Sequence, residues 1–450
     1  MKKYDSNKDS GIASIGNIPT HWKVTKMKYN ALLKNGYAFK SDKYTDVGIP
    51  VIRIGDVKPV ISLEETKKVP AEWLSDLSDF LIRSGDILVA LTGATIGKTS
   101  VYNLSEPALL NQRVGLLRVK NEYHSGFLSY LIRTNQFKQF VSLECDGGAQ
   151  ENIGKEELGR FFCPVPPFEE QVDINTYLDN KTSQMDILIQ KKRQMIALLE
   201  EEKTAVINEA VTKGLDPDAT MKDSGFEWLG LIPAKWEVTK LKWVANRITD
   251  GAHISPDTSS ENYPFVSTVD IKAGRIDFEK CLMTSTSNYE YLVKTGCKPK
   301  VGDVLYSKDG TIGGTALIDY EKDFVVASSL IIITPNQDLI LPDFLQFSLQ
   351  SSLVTNYVEA AISGSALRRI SINKVSNNVI VVPPVNEQLL IVSHLNDMLQ
   401  RKSTLISRLK LEIQLMQEYR TALISEAVTG KIDVRDYQPE PINSQQLELA

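Results

Sequence analysis

Residues 9–29 read DSGIASIGNIPTHWKVTKMKY and residues 223–243 read DSGFEWLGLIPAKWEVTKLKW, with 11 of the 21 positions identical at an offset of 214. The correspondence continues down the chain. Ile49-Pro-Val-Ile-Arg-Ile-Gly-Asp-Val57 matches Tyr263-Pro-Phe-Val-Ser-Thr-Val-Asp-Ile271 at the same offset, and Ala94-Thr-Ile-Gly-Lys-Thr99 matches Gly310-Thr-Ile-Gly-Gly-Thr315. From Phe127-Leu128 against Phe344-Leu345, through Pro166-Pro167 against Pro383-Pro384, to Glu209-Ala-Val-Thr212 against Glu426-Ala-Val-Thr429, the offset is 217. Such a period far exceeds the about 20 to 50 residues of a solenoid repeat. Each half is a whole domain with something appended, and the chain is a fused dimer.

Each half has a front and a back. The fronts carry short β-rich runs broken by turns: Ile49 to Ile54, Asp86 to Leu91 and Val114 to Val119, then Phe265 to Val269, Val304 to Ser307 and Leu330 to Ile333. Helical stretches at Phe127 to Leu143 and Phe344 to Tyr357 make the expected class α+β. The backs begin at the double prolines, which bar the preceding residue from α geometry. Beyond them, runs free of proline and glycine extend to Thr212 and Thr429. In the first, Leu178, Met185, Leu188, Met195, Leu199 and Val206 fall at heptad spacing. The second is less regular: Leu395, Leu405, Leu409, Ile413, Met416 and Leu423 supply the apolar surface, beside charges at Lys402 and Glu412.

Two helices of about 40 residues at 1.5 Å rise would each span roughly 60 Å, and neither could bury its stripe alone. The first starts at one globular domain and leads to the second; the second, if the two pair, must run back. The expected architecture is therefore two similar globular domains separated by an antiparallel coiled coil, a tandem repeat with a pseudo-two-fold axis. The division is 1–167 and 223–384 for the domains, 168–222 and 385–437 for helix plus link, and 438–450 for a flexible tail. Val211-Thr-Lys-Gly-Leu-Asp216 corresponds to Val428-Thr-Gly-Lys-Ile-Asp433, which places the C-terminal segment beside the N-terminal domain.

At 450 residues and 42% hydrophobic content, cores of real size are expected. The N-terminal MKKYDSNKDSG has no apolar h-region, and no apolar run approaches the roughly 18 residues that span a bilayer, so the expectation is a cytoplasmic chain without a membrane partner. Four cysteines and four histidines show no metal-ligand spacing. The net charge of −5 argues against a nucleic-acid binder working by bulk basicity. Its distribution qualifies that: residues 1–60 carry 11 Lys/Arg against 5 Asp/Glu, whereas residues 169–212 carry 5 against 9. Any DNA would meet the basic front.

Three catalytic patterns fail on spacing or duplication. Gly93-Ala-Thr-Ile-Gly-Lys-Thr99 has three residues where a phosphate loop needs four before Gly-Lys, and its second copy lacks the lysine. Asp257, Asp270 and Lys272 resemble the two acids and lysine of a metal-dependent nuclease, but Asp56-Val-Lys58 repeats only part of the set. A methyltransferase acting on base amino groups needs Asp or Asn before Pro-Pro-aromatic, and here valine precedes both double prolines.

The ordered marks resemble those of a known family. They are Ile18-Pro-Thr-His-Trp22 with Ile232-Pro-Ala-Lys-Trp236, Gly48-Ile-Pro-Val-Ile-Arg-Ile-Gly-Asp56, Gly85-Asp-Ile-Leu88 with Thr95-Ile-Gly97, Thr249-Asp-Gly-Ala-His253, and Pro-Pro-Xaa-Xaa-Glu-Gln before each helix. Over nearly the whole chain they are similar to the DNA specificity subunit of type I restriction-modification systems. The resemblance implies two target-recognition domains, each reading one half of a split, asymmetric duplex DNA sequence, held apart by conserved helices. It implies no catalysis and no cofactor in this chain; S-adenosylmethionine, ATP and Mg²⁺ would sit on partners, two methyltransferase (modification) subunits and restriction/translocase subunits.

The fronts differ where readers would have to differ: Arg53 against Ser267, Lys98 against Gly314, Asn111-Gln-Arg113 against Ala327-Ser-Ser329. Candidate readers are Tyr37, Lys40, Arg53, Lys98, Asn111, Gln112 and Arg113 in the first domain, and Asp250, His253, Lys308, Arg368 and Arg369 in the second. For any one of them a turn or surface role competes with a base contact. The rival readings are a stand-alone nuclease using Asp257, Asp270 and Lys272, and a coiled-coil adaptor that binds no DNA.

Overall fold

Alternation along the central strands of each front decides how its layers stack. The structure, a computed structural model, describes residues 2–120, 123–145, 152–257, 262–361 and 368–439. In the first domain the strand Ile87–Ala90 pairs with Val114–Val119, which pairs in turn with Ala31–Asn35, all antiparallel. Ile87, Val89 and Leu117 point into a core shared with helices; Leu88, Val114 and Leu116 point the other way, against Ile52, Ile82 and Leu110 of a second four-stranded sheet. Period-two side chains thus make one sheet the middle of three layers. The second domain repeats this: Val304, Tyr306, Ile331 and Ile333 face helices while Leu305, Leu330 and Ile332 face Val266 and Phe324.

The helices expected over Phe127 to Leu143 and Phe344 to Tyr357 are each broken in two, at Ser125–Leu131 and Asn135–Cys145, and at Pro342–Gln350 and Ser352–Ala361. A hydroxyl explains each break. Thr134 Oγ1 donates to the carbonyl of Leu131, and Ser351, in extended backbone, donates to that of Ser348, competing with the helical ladder.

The long helices are continuous, Phe168–Lys213 and Val385–Val428. The glutamine of each Pro-Pro motif fixes the helix to its domain. Fully buried Gln171 donates to the carbonyl of Pro166 and accepts from His124 N, while Gln388 does the same with Pro383 and Leu341 N. His124 and Leu341 are the N-caps of corresponding domain helices. At the far end, Gly214 (φ +81°) and Gly430 (φ +71°) turn the chain in the left-handed conformation that suits glycine. A Cβ there would meet Trp236 at 3.1 Å or Pro19 at 2.3 Å.

The chain divides into two compact units, Met1–Lys192 with Lys410–Ala450, and Arg193–Leu409. Each unit contains one globular domain and an antiparallel pairing of the two helices. In the first, Lys192 meets Glu412 at 2.6 Å and Asp186 meets Arg420 at 3.1 Å; in the second, Glu202 meets Lys402 at 2.7 Å. Charged positions that broke the apolar pattern therefore neutralise one another across each pair.

The apolar seam differs from the expected one in one of its two rows. Leu178 is buried and Met185, Leu199 and Val206 are half-buried, as are Leu405, Ile413 and Met416; Leu395, Leu409 and Leu423 are buried. Leu188 and Met195, however, are 48% and 45% exposed. Ile189, 6% exposed, and half-buried Ile196 take their places. Both neighbours are apolar, so composition does not choose. At 3.6 residues per turn, steps of four from Met185 and Lys192 stay nearer the pairing face than steps of three.

The C-terminal segment lies on the N-terminal domain, as its correspondence with the first link required. Asp433 N donates to the carbonyl of Lys2 at 3.0 Å, Lys2 pairs with Asp436, the Arg435 guanidinium lies 5.0 Å from the Tyr4 ring centre, and Tyr437 Oη donates to Asn180 at 2.7 Å. Of the expected flexible tail, residues 440–450 lie outside the described residues.

Candidate nucleic-acid interface

One edge of each domain is built by a close backbone approach that only glycine permits. A Cβ on Gly36 would lie 2.3 Å from the carbonyls of Leu110 and Asn111, and one on Gly251 would lie 2.2 Å from that of Val326. The residues that follow form matching parallel bridges, Tyr37 with Asn111 and Ala252 with Ala327. The same frame thus presents different side chains in the two halves.

In the first domain the frame gathers most of the candidate readers. Gln112 N donates to the carbonyl of Tyr37, Asn111 N to that of Ile52 beside Arg53, and Leu91 N to that of Arg113. Gln112 and Arg113 are exposed, while the Asn111 side chain turns inward to accept from Arg113 N at 3.2 Å. Arg53 is half-buried, its Nε 3.3 Å from Asp56. Tyr37 is held edge-on by Phe39 and Phe80 at 5.1 and 5.5 Å. Lys98 is exposed one strand away, where Ala90 N donates to its carbonyl, and Lys40 is exposed in the loop after Phe39.

The second domain carries a charged cluster at the corresponding edge. His253 Nε2 lies 2.8 Å from Asp250; the Nζ of buried Lys308 lies 3.9 Å from Asp250 and 3.5 Å from Asp309; and Arg369 Nε lies 2.6 Å from Asp309. Arg368 is drawn to Glu359 at 3.6 Å instead. Asp309 is a member that sequence reasoning passed over, although it follows Lys308 directly. The two edges therefore carry different sets of donors and acceptors.

The carboxylate of Asp270 and the ammonium of Lys272 are committed to local structure. Buried Asp270 accepts from both the backbone N and the Oγ of Ser267, at 2.7 and 3.0 Å, as Asp56 accepts from Arg53 N at 2.9 Å. Lys272 pairs with Asp277 at 2.6 Å, and Asp257 receives Ser285 N on its carbonyl. The shared acid is a turn cap in both halves. Among the described residues no helix is long and apolar enough to cross a membrane. The cysteines are free thiols, and burial pushes that of Cys163 up to about 12.

A model of the type I restriction modification DNA specificity domain matches residues 19–197 and again 233–415, most of both halves. The chain belongs to that family. The type I restriction enzyme EcoBI specificity subunit of Escherichia coli is 23% identical over 438 residues, covering 94% of this chain and 89% of its own. The MjaVIII specificity subunit of Methanocaldococcus jannaschii is 30% identical over 206 residues, covering 44% and 48%. Among solved structures, the fold is similar to a chain from work on complex assembly and conformational transition of the type I R-M system, with TM-score 0.66 and 16% identity over 91% of this chain and 98% of that one. It is also similar to the HsdS subunit from Thermoanaerobacter tengcongensis, with TM-score 0.52 and 16% identity over 92% and 98%. The protein is thus a type I specificity subunit, a DNA target-recognition component of a restriction-modification complex.

Proposed function

We propose that this specificity subunit reads a bipartite, asymmetric duplex target, one half-site per domain, without chemistry of its own. The observation that carries the reading is the duplicated edge: one glycine-built frame bearing Arg53, Asn111, Gln112 and Arg113 in one half, and Ser267, Ala327, Ser328 and Ser329 beside an Asp–Lys–Arg cluster in the other. A repeat that keeps its frame and changes its side chains reads two different sequences. The helices serve as scaffold. In the first unit Leu188, Leu411, Leu415 and Tyr419 remain about half exposed beside the buried seam, apolar area suited to methyltransferase subunits; the repeat supplies two related docking faces and so two such subunits, with restriction/translocase subunits joining the assembly. S-adenosylmethionine, ATP and Mg²⁺ act on those partners.

Exchange of residues 1–160 for the same region of a relative tests this. Methylome sequencing of cells carrying the hybrid with its partners should show one half-site changed and the other retained. A hybrid that methylates, but with both half-sites altered, would refute independent reading.

A further inference from the structure

Both domains carry a cleft beside the glycine turn, one lined by cations and the other by balanced charges. In the first, a cleft of about 650 Å³ opens between the glycine turn Gly97-Lys98-Thr99, the loop Val57-Lys58-Pro59 and the paired domain helices. Ile96, Ile132 and Val141 line its floor, and Lys58, Lys98, Arg133 and Lys138 stand around it. Lys58, Lys98 and Lys138 are exposed, and none of the three has a carboxylate within ion-pair distance among the described residues; Arg133 is partly desolvated and feels Asp179. Arg133 lies over the Tyr130 ring at 5.7 Å. The described lining contains no carboxylate. Three unpaired lysines round one apolar concavity raise the local positive potential and attract an anion.

The second domain's cleft, about 820 Å³, also lies beside a glycine turn, Gly313-Gly314-Thr315, and a domain helix, but both long helices line it as well, and Lys203 and Arg275 stand in its wall. There Gly314 stands for Lys98, and Gln350, which donates to Thr315 Oγ1 at 2.7 Å, stands for Arg133. The counterpart of Lys58 is Lys272, bound to Asp277. Asp319 and Asp343 enter the wall. Its cations are paired, Arg275 with Asp319 at 4.0 Å and Lys203 with Glu200 at 3.1 Å.

Building on the reading above, we infer that the first domain's cleft is a phosphate site, occupied by the DNA backbone beside the edge that reads bases, and that the second domain lacks its equivalent. Position favours the DNA backbone over a free nucleotide. Arg113 and Lys98 flank the strand Ile87–Ala90 on either side, so two strand spacings of about 4.8 Å, roughly 10 Å, separate them. That is about three base-pair rises of 3.4 Å: a duplex read at Arg113 brings a backbone phosphate to the cleft rim a few nucleotides on. Lys98, a candidate base reader, becomes a backbone contact. The recognition domains then contribute unequally, the first supplying sequence-independent attraction and the second relying on its own edge.

The test uses the complex assembled with its methyltransferase partners and titrates a duplex carrying its methylated target, and an unrelated duplex, at several salt concentrations. Lys58→Gln, Lys98→Gln and Lys138→Gln together should lower the slope of log affinity against log salt by roughly 1 to 2, since each neutralised phosphate contributes about 0.9. Both duplexes should weaken by the same factor, about eightfold per lost phosphate at 0.1 M salt. Lys272→Gln, at the position that corresponds to Lys58, should leave the slope unchanged. A triple variant with the wild-type slope, or one that weakens only target DNA, would overturn the inference, as would an equal loss from Lys272→Gln. Adenosine monophosphate or pyrophosphate binding in the micromolar range without DNA, abolished by the triple variant, would assign the cleft to a free nucleotide and overturn it too. A wild-type complex that does not prefer target to unrelated DNA would instead sink the recognition reading itself. Unchanged thermal melting of the triple variant keeps folding out of the comparison.

Discussion

Leu188 and Ile189 are neighbours with opposite assignments, which makes an aspartate scan of the two decisive. Ile189 is 6% exposed, between the cross-helix pairs Asp186–Arg420 and Lys192–Glu412; Leu188 is 48% exposed. Ile189→Asp gives up about 1.5 to 3 kcal/mol of apolar burial. It also buries a carboxylate at a cost of several kcal/mol, of which Lys192 one turn on returns only about 0.2 to 0.5. The net loss is about 4 kcal/mol or more. At roughly 2 to 4 °C per kcal/mol for a unit of this size, its melting transition should fall by about 10 °C or more. Leu188→Asp replaces a side chain already half in water and should cost about 1 kcal/mol at most. Circular-dichroism melts of the purified chain read the first quantity, and co-purification with the methyltransferase subunit reads the second. Leu188→Asp should keep the melt and lose the partner, whereas Ile189→Asp should lose both. Equal destabilisation by the two would refute the placement of the pairing face, and full partner capture by Leu188→Asp would refute docking on the exposed stripe.

Three further outcomes follow from particular residues. Glu170 is buried and accepts from Tyr4 Oη, His21 Nε2 and Trp22 Nε1; Glu170→Ala strands two buried neutral donors at about 1 to 3 kcal/mol each, so the first unit's melt should drop by roughly 4 to 24 °C. Glu387→Ala should cost under about 1 kcal/mol, because Trp236 Nε1 has no hydrogen-bond partner among the described residues; equal losses would show that Glu170 is not the anchor. One added turn in each long helix, four residues or about 6 Å, should leave both half-sites intact and lengthen the unread spacer by one or two base pairs, and methylome sequencing showing an unchanged spacer at full activity would mean the helices do not set it. Arg113→Ala should relax a single position of the first half-site at about 1 to 3 kcal/mol, visible as degenerate methylation there, with the second half-site unaltered.

The long-range organisation was legible because duplication is independent of packing detail: offsets of 214 to 217 located the domains, the helices and the matching links without any contact being known. Strand positions followed from β-branched runs bounded by turns. What failed was local choice between equivalent neighbours. Leu188 or Ile189 serves equally by composition, and only the accumulated phase of the helix decides. The breaks at Thr134 and Ser351 depend on one hydroxyl each, in stretches whose apolar pattern reads as unbroken helix. At the candidate edge, comparing the halves singled out Arg53 and Asn111 to Arg113, since the frame is constant and the side chains are not. It missed Asp309 and the cations at Arg133 and Lys138, which converge only when the glycine turn folds against the domain helices.

The division of the chain also sets an order of assembly. One unit is a continuous stretch, Arg193–Leu409, whereas the other joins the first 192 residues to a segment that begins at Lys410. A nascent chain growing at about 5 to 20 residues per second therefore holds its N-terminal domain without Leu423, Ile424, Ala427 and Val428 of the shared core for roughly 10 to 45 s. The domain made second has all its parts first. The core that holds Ile174, Tyr177 and Leu178 is complete only when the last helix arrives.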